Sequence, residues 1–168
     1  ADIQMSSEAR RSLREKLDYS VGVTVIKATD FGVPQNRERV YIVGFDRSLF
    51  GDVDFDAFFA DLKGRENGTR LGDVLEGSEA NHLNRYTISD RLWEGLRNRM
   101  ARHEAKGNGF GHRVFSVEEA ACNTITSRYY KDGREILIDQ SGRGMNPRRL
   151  TPRECARIQG FPEWFDLS

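Results

Sequence analysis

Cysteine, long apolar runs and net charge are what this sequence has least of. Two cysteines, Cys122 and Cys155, stand among 168 residues. They form no Cys-x-x-Cys pair, so neither a zinc site nor a disulfide framework is signalled, and no metal centre is expected. No run of about 18 apolar residues occurs, which excludes an α-helical membrane span. Residues 1–8 lack the apolar core of a signal peptide. With so little cysteine, the expectation is a reducing, cytoplasmic setting. Lysine plus arginine and aspartate plus glutamate balance at 26 each, and charged residues make up 31% of the chain. That is the composition of a soluble globular protein, long enough for one domain or for parts of two.

The zero net charge hides an asymmetry. From Asp46 to Ala80 there are nine acidic residues against four basic, whereas from Arg97 to Arg157 there are thirteen basic against seven acidic. The second region is a candidate anion-binding surface, with a long polyanion such as DNA as a natural partner. Arginines paired with local acids would give the same count.

Residues 5–17 carry Leu13 and Leu17 at i, i+4 spacing and predict a helix. Val21, Val23 and Val25 alternate, so 19–28 predicts a strand. Asp30, Gly32 and Pro34 mark a loop over 29–36, and 39–45 predicts a second strand. About eight to ten residues leave no room for a crossover helix, so the two strands are expected to run antiparallel. This helix-and-pair arrangement resembles the closing edge of an open α/β sheet. The acidic stretch over 46–84 reads as connection with short helices. A helix is expected over 89–105, with Leu92, Leu96 and Met100 as a core stripe beside Trp93 and with Arg91, Arg97, Arg99 and Arg102 on its basic face.

The segment Pro34-Gln35-Asn36-Arg37-Glu38-Arg39 leads into Val40-Tyr41-Ile42-Val43-Gly44-Phe45, a strand that reads as buried. In an extended stretch, residues i, i+2 and i+4 share a face. Gln35, Arg37 and Arg39 are therefore expected along one side, with Asn36 and Glu38 on the other. Three forked polar side chains on one rail suit a planar polar ligand or a phosphate. An ordinary solvated strand start would have the same spacing.

Further along, Lys106-Gly107-Asn108-Gly109-Phe110-Gly111 breaks the helix. It follows a helix and opens none, so it is not a dinucleotide fingerprint. It is either a connector with Phe110 tucked into the core or a loop that carries Phe110 into a groove, able to wedge or stack. Short strands are expected at 113–116 and from Asn123. Residues 129–138 read as a hairpin with Asp132-Gly133 as its turn. Arg128, Lys131, two tyrosines and several hydroxyls crowd that hairpin, a mixture suited to phosphate and sugar contacts, though a plain edge hairpin would carry it too. Thr151-Pro152-Arg153-Glu154 is a helix start with Thr151 as N-cap, Pro152 at the first helical position and Glu154 closing a capping box. That helix is expected to reach Gln159 and stop at Gly160.

Together these pieces resemble a known family. The stretch from Asp30 to Val40 resembles the Gln-x-Arg-x-Arg block of DNA cytosine-5 methyltransferases. The stretch from Arg149 to Pro162 resembles the following block of that family, which braces its target-recognition domain. Roughly 110 residues lie between them, in the place of the recognition domain itself. The glycine loop and the Arg-Tyr-Tyr-Lys-Asp-Gly segment look most like the bacterial restriction-modification and Dcm-type enzymes. The resemblance spans nearly the whole chain.

It implies base flipping, because C5 and C6 of cytosine are unreachable within the stack. In that family a cysteine attacks C6, a glutamate assists at N3, and C5 takes the methyl group of S-adenosyl-L-methionine. By the same resemblance Arg39 holds the flipped cytosine at O2, where a positive donor also stabilises charge moving onto the ring. Arg37 supports the pocket and Gln35 fixes the loop. Gly109 to Arg113 matches the first recognition loop. Arg113 falls where a family member reads guanine with arginine, and Phe110 falls where another fills the gap left by the flipped base. Thr124-Ile125 matches the Thr-Leu pair of the second loop, placing Thr124 near the target's backbone. Double-stranded DNA is the implied partner.

Other parts of the family pattern do not occur. There is no Phe-x-Gly-x-Gly cofactor loop, no Pro-Cys dipeptide, no Glu-Asn-Val and no final Gly-Asn block. Cys122 and Cys155 stand in other contexts and read as small buried thiols. The expected fold class is α/β (α+β): closing strands of a Rossmann-like methyltransferase sheet plus a small, mainly β recognition domain. Residues 1–47 form the edge of the catalytic domain, and 48–168 the recognition domain with its bracing helix. The chain is expected to be inactive alone. The S-adenosyl-L-methionine site and the nucleophile then come from a missing catalytic half, in the same parent chain or in a separate subunit. A non-catalytic DNA-binding module and a plain interaction domain are the competing readings.

Overall fold

The computed structural model describes Ser12, residues 17–62, Gly64, and residues 68–77, 80–107 and 112–167. Apart from Ser12 and Leu17, the helix expected over 5–17 lies outside them. The chain enters β1 (Tyr19–Lys27), crosses a 3-10 turn (Ala28–Phe31) and β2 (Gln35–Asn36), and returns along β3 (Glu38–Asp46). β1 and β3 pair antiparallel in register from Tyr19 opposite Asp46 to Lys27 opposite Glu38, as their short connection requires. Three short helices follow: α1 (Arg47–Phe50), α2 (Phe55–Ala60) and α3 (Leu71–Val74). The long helix α4 (Asp90–Glu104) leads to β4 (Val114–Phe115), β5 (Cys122–Asn123), α5 (Tyr129–Asp132), β6 (Leu137–Ile138) and α6 (Pro152–Ile158).

Sequence explains the first unit directly. β-branched residues at alternate positions favour the pleated pair. The rings of Phe50, Phe55 and Phe58 then gather on Phe45 at centroid distances of 5.4, 6.0 and 5.5 Å. Phe55 lies directly over Gly22, where an added Cβ would come within 2.1 Å of the ring. The expectation of a buried second strand fails. Tyr41 and Ile42 of β3 are 49% and 48% exposed, because one partner strand and a small aromatic clasp cannot cover an apolar strand on both faces.

The remaining pairings are short. β2 pairs parallel with β5, Gln35 opposite Cys122 and Asn36 opposite Asn123. β4 pairs parallel with β6. Around them Leu71, Val74, Phe115, Cys122, Tyr129, Ile136, Ile138, Leu150 and Ile158 form the main core, so it draws on segments almost ninety positions apart. Ile88, Leu96 and Leu137 form a satellite cluster against Trp93 and Val114. The content is mixed α and β, with two-stranded sheets and mostly short helices.

Residues 129–138 do not form a hairpin. Tyr129–Asp132 makes one turn of helix closed by Gly133 in the left-handed region, with Gly133 N donating to Tyr129 O at 2.8 Å. An Asp-Gly pair serves a hairpin turn and a helix C-cap equally well. Tertiary bonds select the cap: the buried Tyr129 hydroxyl donates to Ile136 O at 2.7 Å and accepts from Leu150 N at 2.9 Å. The strand expected from Asn123 shrinks accordingly to β5. On α4, Ser89 caps the helix as its position suggests, but of the expected stripe only Leu96 is buried. Leu92 is 39% exposed, and Trp93 supplies the second apolar contact.

Candidate nucleic-acid interface

Gln35 is the hinge of the site. It is 1% exposed, and its amide is used at both ends. Nε2 donates to Ile158 O of α6 at 3.2 Å, and Oε1 accepts from Ile125 N at 3.2 Å. The strand beside it is tied to the same loop: Cys122 N donates to Pro34 O at 3.0 Å, and Thr124 Oγ1 donates to Asn36 O at 2.5 Å. One loop therefore joins the segment carrying Thr124 to the helix at the end of the chain.

This corrects the expected rail. Gln35 points inward, while Arg37 and Arg39 are exposed. Two tight i to i+2 bonds, Gln35 N to Val33 O and Arg37 N to Gln35 O, each 2.8 Å, break the extended run between β2 and β3. Simple alternation across Gln35, Arg37 and Arg39 therefore does not hold. The two arginines remain close to the Gln35 loop, and Arg39 Nη1 donates to Glu38 O at 2.6 Å.

The other sequence-predicted residues lie on the second unit. Arg113 directly precedes β4. Its Nη2 donates to Glu119 Oε2 at 2.9 Å, and its guanidinium carbon lies 4.5 Å from the Phe115 ring centroid. Arg128 Nε is 3.8 Å from Asp132 Oδ2 across one turn of α5. Lys131 Nζ sits 5.3 Å from the ring centroid of the exposed Tyr130. Phe110 lies outside the described residues. Next to its loop, His112 packs edge-on against Trp93 at 4.9 Å, and burial pulls its pKa down. At the end of α4, Arg99, Arg102, His103 and Lys106 line one depression.

The helix start at Thr151 forms as expected. Thr151 Oγ1 accepts from Glu154 N at 3.1 Å, and Glu154 Oε2 accepts from Thr151 N at 2.8 Å. Glu154 does more than close the box. It is fully buried and takes both ends of the Arg148 fork at 2.7 Å each. It also accepts from Glu76 N at 2.9 Å. Arg148 is 3% exposed, and sequence reasoning missed it because one arginine in a basic stretch carries no mark of burial. Glu76 continues the network, bonded to Thr151 Oγ1 and to His82. Burial pushes both thiols up, Cys122 and Cys155 each to about 12, so they stay protonated at neutral pH and are poor nucleophiles.

Among the described residues, no group of three or more His, Cys, Asp or Glu side chains could hold a metal ion. No helix among them is long and apolar enough to cross a membrane.

The fold has counterparts among solved structures. The Dnmt2 methyltransferase of S. pombe matches 99% of this chain and 54% of that chain with a TM-score of 0.70, at 17% identity; that likeness concerns the fold alone. In sequence, residues 11–168 match the family of C-5 cytosine-specific DNA methylases. Type II methyltransferase M.NlaX of Neisseria lactamica is 50% identical over 153 residues, covering 91% of this chain and 45% of that protein. Type II methyltransferase M.HpaII of Haemophilus parainfluenzae is 34% identical over 165 residues, covering 90% and 44%. The chain belongs to the C-5 cytosine-specific DNA methylase family, and it spans less than half the length of these two relatives.

Proposed function

We propose that this chain is the DNA-recognition and flipped-cytosine-binding part of a cytosine-5 methyltransferase acting on double-stranded DNA. The observation that carries the reading is the double use of Gln35. Its amide joins the loop of Arg37 and Arg39 to the Thr124 segment and to α6. A base-holding wall and a DNA-reading strand placed on one brace keep a fixed spacing, and fixed spacing is what positions a flipped base. Arg39 holds the cytosine at O2, Arg37 supports the pocket wall, and Gln35 positions both from behind. Phe110, Arg113, Thr124, Arg128 and Lys131 make the DNA contacts. The catalytic-domain edge comprises 1–47, and 48–168 forms the recognition domain with its bracing helix; the aromatic clasp of α1 and α2 extends the packing of the first part to Ala60.

The methyl donor in this reading is S-adenosyl-L-methionine. No described strand ends in a Phe-x-Gly-x-Gly turn, so no residue of this chain is assigned to it. Donor site and nucleophile belong to the remaining half of the enzyme, and the exposed apolar surface of β3 fits a strand pair that expects further cover.

Methyl transfer from radiolabelled S-adenosyl-L-methionine to duplex DNA tests the reading. The 168-residue chain alone is expected to incorporate no label. A protein that joins it to the Pro-Cys and Phe-x-Gly-x-Gly segments of the family is expected to turn over. In that protein Arg39→Ala should lower the rate by roughly 100-fold, the scale of one lost transition-state donor. Turnover by the chain alone would overturn the division of roles.

A further inference from the structure

Arg113 is held from two sides by residues that are themselves held. Below it lies Phe115, fully buried in the main core. Beside it, Glu119 offers Oε2 to Nη2, while Glu119 Oε1 accepts from Ser116 N at 3.3 Å. The Glu119 backbone is clamped as well: its N–H donates to Ser116 O at 3.3 Å and its carbonyl accepts from Leu71 N at 3.1 Å. The Arg113 backbone is anchored through its carbonyl, which accepts from Leu137 N at 2.9 Å. An exposed ion pair is ordinarily loose, because two long side chains must be ordered to form it. Here the carboxylate is already ordered by the backbone, and the guanidinium lies on a fixed ring.

We propose that Glu119 is the specificity-positioning residue for Arg113. It sets the plane of the guanidinium and leaves the other donors of the fork for the O6 and N7 of one guanine. The proposal rests on the reading that Arg113 contacts a base. Two physical effects follow from the carboxylate. Ordering the fork before DNA arrives reduces the conformational entropy lost on binding. A negative charge beside the fork also opposes its collapse onto a phosphate, which weakens binding to wrong sequences.

The test is selection of duplexes from a library with a randomised core by the 168-residue chain, together with binding to one fixed random-sequence duplex at several salt concentrations. Arg113→Ala is expected to erase the preference for guanine at one base pair. Glu119→Ala should weaken preference at that same pair by about tenfold, the scale of one bidentate base contact. It should also raise affinity for the random duplex and steepen its salt slope by about one unit, as the freed arginine reaches phosphate. Glu119→Asp keeps the charge but shortens the reach, so it should weaken the base preference no more than the alanine change does, without the gain in random binding. If Arg113→Ala erases the preference and both Glu119 variants keep it, the positioning role falls and the reading of Arg113 stands. If Arg113→Ala leaves every preference intact, both fall. Loss of folding in both Glu119 variants would make Glu119 a structural residue and overturn the assignment. A chain that selects no sequence overturns the DNA-recognition reading itself.

Discussion

Glu154 and Gln35 each bury a hydrogen-bonded polar side chain at α6. A buried carboxylate is tolerated only when its lone pairs are met. Glu154 receives two bonds from Arg148, one from Thr151 N and one from Glu76 N. Removing Arg148 leaves that carboxylate charged and unmatched in the core. Arg148→Ala is therefore expected to destabilise the fold by roughly 3–5 kcal/mol, measured by urea unfolding, whereas a charge-reversing change at the exposed Arg128 should move the midpoint little. At this scale the sequence was partly legible. The capping box at Thr151 and Glu154 follows from residue type and spacing, because its partners are three positions apart. Arg148 was not legible as buried, because the carboxylate that meets it, Glu154, stands six positions away; the inward turn of Gln35 was not legible either, because its partners lie at Ile125 and Ile158. Glu119 escaped notice for a related reason: its partner Arg113 is six positions away on the far side of a turn, a spacing that no regular element defines.

At the scale of elements, local signals succeeded where periodicity was long and failed where two elements share one signal. β1, β3, α4 and α6 fall within a residue or two of the expected bounds. Each has several turns of alternation or a cap to mark it. The segment 129–138 failed because Asp132-Gly133 is compatible with a hairpin and with a capped helical turn. Gly133 has a φ of 54°, and a Cβ there would stand 2.5 Å from the Arg149 side chain. Gly133→Val is thus expected to destabilise by about 1–2 kcal/mol from backbone handedness, read from chemical unfolding. Gly144→Val, at φ 65° with nothing within 4 Å of its Cβ, should show the backbone cost without the steric one. A larger loss at Gly133 than at Gly144 would reflect the Arg149 contact.

The whole molecule carries a pH dependence with two limbs. On the acid side, burial alone would raise Glu76, but its bonds from Thr151 and His82 outweigh burial and hold it below its ordinary value of 4.5. A depressed carboxylate contributes stability that is fully present above its unfolded value and lost as pH falls through the folded one. On the alkaline side, burial raises both thiols from 9.0 to about 12 and raises the Tyr129 phenol. These groups contribute stability that is present below about pH 9 and lost as pH climbs from there towards the folded values. Thermal melts across pH are expected to give a plateau between these limbs. Glu76→Gln should lower the plateau and flatten the acid limb, and Cys155→Ala should flatten part of the alkaline one.

Sequence by itself determined the family, the antiparallel β1 and β3 pair, the capped α6, the concentration of basic residues in the second half and the residue types of the Gln35 to Arg39 segment. All of these depend on neighbours within about one turn or one strand repeat, or on motifs read whole. Only the tertiary structure decided which of those residues face inward. It turned Gln35 inward, off the rail expected with Arg37 and Arg39, converted a hairpin into a helical turn, left β3 exposed and brought Glu119 to Arg113. The physical reason is common to all four. Burial and hydrogen-bond partnership depend on segments distant in the chain, and a polar side chain takes the direction in which its partners lie.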